Sequence, residues 1–183
     1  ALRRYPDPAA LELRRAIGRR YGFPPERIFV SNGSDELIRL AVFAFSNAGE
    51  PVVFPSPSYP LYGTLTALSY CVPRPSPLDA EFGLTEEFVE GNPDCMKIVA
   101  NPNSPTGTVF PAETIGRLVR TCRRVVLIDE AYVDFAPGSS IDLARSAENV
   151  IVARTFSKSF SLAGLRVGYC FASPELVRAL MAV

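Results

Sequence analysis

The sequence has 183 residues, 48% of them hydrophobic, with 19 basic and 19 acidic side chains and no histidine. That length suits one domain with a sizeable core, the balanced charge gives no basic stripe for nucleic acid, and no apolar run approaches a membrane span. The missing histidine excludes Ser-His and Cys-His nucleophile pairs and the usual histidine metal sites, so proton transfer falls to Lys, Tyr, Asp, Glu or a cofactor.

Cys71, Cys95, Cys122 and Cys170 are widely spaced in apolar surroundings. They read as buried, reduced thiols of a cytosolic protein, and no Cys-x-x-Cys pair points to zinc. A charged-then-apolar leader is missing, so nothing suggests secretion.

Along the chain, Asp7 reads as an N-cap and Pro8 as a first-turn residue. Ala10, Leu13, Ile17 and Tyr21 then recur at helical spacing, and Gly22 ends that helix. Arg27 to Ser31 reads as a short strand. Asn32-Gly33-Ser34-Asp35-Glu36 turns into a helix with Leu37, Leu40, Ala41, Ala44 and Phe45 on its apolar face, stopped by Gly49. Strands are expected at Val52 to Phe54, Lys97 to Ala100, Val125 to Ile128, Val150 to Ala153 and Val167 to Phe171. Helices are expected at Tyr59 to Ser69, Ala112 to Thr121 and Pro174 to Val183. Pro73 to Pro77 reads as proline-rich turns.

Near-continuous apolar strands separated by helices indicate an α/β fold of three layers, a mostly parallel sheet with helices on both faces, over residues 1–183. Ligands of such sheets sit beyond the carboxyl ends of the strands. The polar clusters 32–35, 101–107, 129–132 and 155–158 all follow strands.

Within those clusters, Lys158 lies just past an apolar strand between Ser157 and Ser159. It is either a solvated lysine or an imine-forming amine. Asp129 ends the run Val125 to Ile128 and needs a partner there. It either caps the next helix or pairs with a protonated ring nitrogen. Tyr132, three residues on, is either a half-buried aromatic or a donor to a phenolate oxygen. Gly33-Ser34-Asp35 opens a helix whose free amides favour a phosphate, although Asp35 and Glu36 would repel an anion unless their side chains point away. Thr155, Ser157 and Arg166 could add phosphate donors.

Asn103-Ser104-Pro105-Thr106-Gly107, then Asp129-Glu130-Ala131-Tyr132, then Ser157-Lys158 with Arg166 eight positions on, resemble fold-type-I aminotransferases dependent on pyridoxal phosphate. Arg4-Tyr5-Pro6-Asp7, Ser31 to Glu36 and Pro57-Ser58-Tyr59 bring the resemblance closest to the histidinol-phosphate aminotransferases. The resemblance covers the whole chain and implies pyridoxal 5'-phosphate as cofactor. It implies Lys158 as the amine that bonds the cofactor and moves the proton between substrate Cα and cofactor. It implies Asp129 against the ring nitrogen, Tyr132 on the ring's O3′ and Tyr59 stacked on its face. The amides of Ser34 and Asp35, with Ser157, Arg166 and Thr155, are implied at the phosphate. Tyr5 is implied to reach the phosphate site of a neighbouring subunit, hence a homodimer.

One position departs from the family pattern. Asn commonly precedes Pro-Thr-Gly and bonds O3′; here that place holds Ser104, with Asn103 before it. Register favours Ser104, and Asn103 stays the alternative. By the resemblance, the family's usual starting arm and the small domain with its carboxylate-binding arginine are expected to lie outside these residues. The resemblance therefore implies a cofactor-binding large domain that is a poor catalyst alone. The implied activity is amino transfer between histidinol phosphate and 2-oxoglutarate, in histidine biosynthesis in the cytoplasm. A related aromatic aminotransferase or a threonine-phosphate decarboxylase is the alternative. A nucleotide-binding module is disfavoured, because neither Gly-x-Gly-x-x-Gly after the first strand nor a Gly-Lys-Ser/Thr loop is present.

Overall fold

Seven strands form one sheet in the order β1-β7-β6-β5-β4-β2-β3 in the computed structural model, which describes residue 3 and residues 5–183. Arg4 of the quoted motif lies outside the described residues. The strands are β1 (Ile28–Ser31), β2 (Pro51–Ser56), β3 (Val72–Pro77), β4 (Met96–Ala100), β5 (Val126–Asp129), β6 (Val150–Thr155) and β7 (Gly168–Phe171). β3, β2, β4, β5 and β6 run parallel, while β7 is antiparallel to both β6 and β1. Every residue of β4, β5, β6 and β7 is buried, as continuous apolar runs predict for strands covered on both faces.

The helices are α1 (Leu11–Tyr21), α2 (Ser34–Phe45), α3 (Leu61–Leu68), α4 (Glu86–Glu90), α5 (Ala112–Thr121), α6 (Leu143–Ser146) and α7 (Pro174–Ala182). Two apolar clusters flank the sheet. One gathers Leu37, Ile38, Tyr62, Leu65, Ile98, Leu127 and Leu180, under α2, α3 and α7. The other gathers Ile17, Phe88, Ile115, Leu118, Val126, Ile128 and Val152, under α1, α4 and α5. Three layers result. No helix among the described residues is long and apolar enough to cross a membrane.

The start of α1 differs from the sequence expectation. The helix begins at Leu11, with Ala10 in the left-handed region at φ 45°. Asp7 still acts as a cap, because its carboxylate accepts from the amides of Ala9 at 3.0 Å and Leu11 at 2.8 Å. Gly22, at φ 70°, closes the helix by donating to Gly18 O.

The proline-rich stretch is an edge strand rather than a set of turns. Val72 N–H donates to Glu50 O and Leu78 N–H to Ser56 O, so the even-numbered amides face β2. Pro73, Pro75 and Pro77 alternate with them. Their missing donors therefore fall on the open edge, where no ladder needs them.

Short α4 and α6 carry too little periodicity to be read in advance. α4 is tied to β4 by Lys97, a fully buried lysine whose Nζ donates to Phe88 O at 2.8 Å and Val89 O at 3.1 Å. Burial pushes its ammonium below the usual lysine range. The helix-end carbonyls are the acceptors that make this buried cation tolerable.

Candidate active site

A cleft of about 190 Å³ opens where β1, β2, β4, β5 and β6 end and β7 begins. Its walls come from Ser34 and Asp35 at the start of α2, Tyr59 and Tyr62, Pro102 and Ser104, Asp129 to Tyr132, and Thr155 to Arg166. Each group follows a strand, and because antiparallel β7 sets β1 and β6 in the same direction, the sheet brings together residues more than a hundred positions apart.

The anion end is built on glycines. Gly33 sits at φ 86° and ψ 162°, a conformation open essentially to glycine. A Cβ there would lie 2.6 Å from the Arg166 guanidinium. A Cβ on Gly168 would lie 2.5 Å from both Gly33 C and Ser34 N. The start of α2 thus packs backbone to backbone on β7, and Arg166 crosses over it. The first-turn amides of Ser34 and Asp35 have no intrahelical acceptor and point out of the helix start. Ser157 N–H donates to Thr155 Oγ1 at 3.1 Å, and Thr155 Oγ1 donates to Ser157 Oγ at 3.0 Å, which holds both hydroxyls at the cleft wall.

The two acidic residues of the helix start behave differently. Glu36 turns away and accepts from Asn32 N–H at 2.6 Å, bracing the turn. Asp35 does not turn away. One carboxylate oxygen accepts from Tyr59 Oη at 3.2 Å and the other lies 3.5 Å from Arg166. Burial, then Asp35, push the Tyr59 phenol up to about 12.

Asp129 forms the floor, and only 5% of it is exposed. Its Oδ1 accepts from Ala131 N–H at 3.0 Å, a local contact that braces the turn; the helix that follows has Tyr132 at its N-cap and takes no side-chain cap, so Asp129 does not cap it. Its Oδ2 accepts from Tyr62 Oη at 2.8 Å, which leaves further lone pairs for a ligand in the cleft. Burial pushes this carboxyl above the usual carboxylate range, and Tyr62 and Ala131 pull against that shift. Tyr132 begins a short 3₁₀ turn over Val133–Phe135. Lys158 Nζ stands 5.1 Å from the centre of its ring, so the amine and the phenol share one side of the cleft.

Ser104 lines the cleft; Asn103 does not. Asn103 is 98% buried and fully engaged elsewhere. Its Oδ1 accepts from Ser58 Oγ at 2.7 Å, and its Nδ2 donates to Thr106 Oγ1 at 2.8 Å and Pro57 O at 3.1 Å. It staples the loop after β4 to the loop after β2. Tyr5 is fully exposed and lies outside the cleft.

Two features escaped sequence reading. Tyr62 falls on an apolar helix face and reads as core; Tyr59 lies just ahead of α3, Tyr62 N–H donates to Tyr59 O, and the two rings meet edge-on at 5.5 Å. Glu130 and Arg154 form a buried ion pair at 2.8 Å beneath the cleft. Glu130 also accepts from Ser139 Oγ and Ser140 N–H, which ties down the loop that follows Tyr132.

Fold and cleft define a class: an α/β domain in which an anion-binding helix start, a buried carboxylate and a lysine amine converge. The chain belongs to the family described as aminotransferase class I and II, whose model matches residues 1–183. It is 44% identical to the histidinol-phosphate aminotransferase of Geobacter sp. (strain M21), over 98% of this chain and 51% of that protein. It is 45% identical to the enzyme of that name from Acetobacter pasteurianus, over 100% of this chain and 51% of that protein. A crystal structure of histidinol-phosphate aminotransferase from Sinorhizobium meliloti in complex with pyridoxal-5'-phosphate superposes with a TM-score of 0.88 at 30% identity. That match covers 98% of this chain and 51% of the other. The chain therefore spans about half the length of the relatives it matches.

Proposed function

We propose that residues 1–183 are the cofactor-binding domain of a histidinol-phosphate aminotransferase, dependent on pyridoxal phosphate and using 2-oxoglutarate as amino acceptor. The observation that carries the reading is the meeting of Lys158, the buried Asp129 and the Arg166-flanked start of α2 in one cleft. Cation, amides and hydroxyls suit a dianion, with the Asp35 carboxylate at the same end held on Tyr59 and Arg166; a buried carboxylate suits a ring N–H, and an amine suits a carbonyl carbon. The names and identity of the relatives supply the substrate.

Bound pyridoxal phosphate supplies an electrophilic carbon and an electron sink. The chain's own residues do the rest. Asp129 pairs with the ring nitrogen and keeps it protonated. Ser104 and Tyr132, which line the cleft, would hold the ring's O3′, and Tyr59 would cover the ring. The Ser34 and Asp35 amides, Thr155, Ser157 and Arg166 hold the phosphate. Lys158 would hold the cofactor through its amine and would move the proton at the donor's Cα. Lys158 and Lys97 are the only lysines in the sequence, and Lys97 is fully buried with its ammonium bonded. Of the two lysines, Lys158 is the one whose amine reaches the cleft.

The same reading includes a cytoplasmic homodimer in histidine biosynthesis, in which Tyr5 reaches the neighbouring phosphate site. Full exposure of Tyr5 suits that role. The test is amino transfer by the whole protein that bears this chain, with histidinol phosphate, phenylalanine and threonine phosphate offered in turn. Preference for histidinol phosphate with 2-oxoglutarate is the expected result. Preference for phenylalanine, or release of carbon dioxide from threonine phosphate, would overturn the substrate while keeping the cofactor.

A further inference from the structure

Each oxygen of the Asp129 carboxylate is held by one donor from the chain. Ala131, its near neighbour, holds Oδ1. Tyr62, sixty-seven residues away on α3, holds Oδ2 at 2.8 Å. The Tyr62 side chain is fully buried. Its ring packs edge-on against Phe54 at 6.0 Å and Tyr59 at 5.5 Å, which fixes the direction of the hydroxyl. Asp129 is its hydrogen-bond partner among the described residues.

The carboxylate sits where a charge is costly. Burial raises it most, and Asp35 from α2 and Glu130 beside it on the β5 end push the same way. Tyr62 is the strongest influence in the opposite direction, followed by the Ala131 amide. Tyr59, Tyr132, Lys158 and Arg166 complete the titratable groups around the cleft. Burial and Asp129 hold the Tyr62 phenol well above its ordinary range, so it remains a donor throughout the working pH range.

We propose that Tyr62 is a positioning residue of this site: its hydroxyl orients Asp129 and keeps it ionised, ready to pair with the cofactor's protonated ring nitrogen. The inference rests on the pyridoxal phosphate reading. The competing account is a core tyrosine whose hydroxyl took the nearest acceptor, as buried hydroxyls generally do. The two accounts differ in what pH does.

Tyr62→Phe keeps the ring and removes the donor, so it separates them. The first measurement needs no cofactor. In the chain labelled with ¹³C at aspartate carboxyls, the Asp129 titration midpoint moves upward in Tyr62→Phe, because a hydrogen bond to the charged form has gone. The second is the dissociation constant of pyridoxal phosphate across a range of pH. The variant binds up to about tenfold more weakly at pH values below its Asp129 midpoint, the scale of one charge-assisted hydrogen bond. That ratio closes towards unity as pH rises and Asp129 ionises. Added to Asp129→Asn, the same change leaves a ratio that does not vary with pH.

An unmoved midpoint, or an affinity ratio flat in pH, would overturn the inference. A parent chain that is folded but binds no pyridoxal phosphate would overturn the cofactor reading and the pairing with it. The midpoint would still report separately whether Tyr62 holds the charge on Asp129.

Discussion

Arg154→Met tests whether the buried ion pair supports the cleft. The side chains of Arg154 and Glu130 are 7% and 1% exposed and meet at 2.8 Å. Arg154 also lies over the Tyr21 ring at 4.9 Å. Methionine keeps most of that volume and removes the charge. Glu130 is then left with Ser139 Oγ and Ser140 N–H as donors. An uncompensated buried charge costs about 3–5 kcal/mol, and the two remaining donors place this case near the lower end, about 3 kcal/mol. Against a domain stability of about 5–15 kcal/mol, that is a large loss. Burial already raises the Glu130 carboxyl, and Arg154 is the largest influence opposing it. Without Arg154 the carboxyl rises further in the folded state alone. The folded variant then holds a proton that its unfolded chain has released, so the deficit is largest at alkaline pH and shrinks as pH falls. Urea unfolding followed by circular dichroism, at about pH 5 and about pH 8, reads both features. Glu130→Gln combined with Arg154→Met should recover most of the loss, because no charge remains buried. A single variant within about 1 kcal/mol of the parent, or a deficit equal at both pH values, would refute the reasoning.

Gly168→Ala should cost about 1–3 kcal/mol and also weaken pyridoxal phosphate binding, because the new Cβ pushes on Gly33 and Ser34, where the phosphate amides originate; thermal unfolding and an absorbance titration read the two effects. Asn103→Ala should lower stability by about 1–3 kcal/mol by leaving buried partners unpaired, whereas Ser104→Ala should leave stability nearly unchanged and shift the pH at which bound cofactor changes colour. The reverse assignment would show that Asn103 reaches the ring. Asp129→Asn should retain cofactor and lower amino transfer in the whole protein about a hundredfold, the scale of losing one oriented charged partner. In the parent, activity should fall as pH drops through the raised Asp129 range, because the carboxylate is then neutralised; the Asn variant should lack that limb in its pH profile.

The central strands were readable because burial on both faces writes them as unbroken apolar runs such as Val125 to Ile128, and Ala112–Thr121 was readable because one helix face is apolar at regular spacing. The edge strand Val72–Pro77 was not, since alternating prolines look like turns until the neighbouring strand shows which side needs donors. The antiparallel setting of β7 was equally hidden, because pairing direction is a long-range property. At the site, Lys158, Asp129 and Ser104 stand out as polar residues at or just past the ends of apolar strands, which is where parallel sheets place ligands, whereas Arg166, just ahead of β7, was assigned through the family resemblance. Tyr62 did not stand out, because only the fold reveals that an apolar helix brings its hydroxyl to Asp129. The choice between Asn103 and Ser104 depended on which way two adjacent side chains point, and composition carries no such information.

Covalent trapping at Lys158 bears most directly on the account. The folded chain is mixed with pyridoxal phosphate, reduced with borohydride, digested and analysed by mass spectrometry. The chain offers two lysines and its amino terminus as amines. The account predicts a stoichiometric adduct on Lys158, none on the buried Lys97, and loss of the adduct in Lys158→Ala. A folded sample with no adduct, or one labelled equally well in Lys158→Ala, would contradict it.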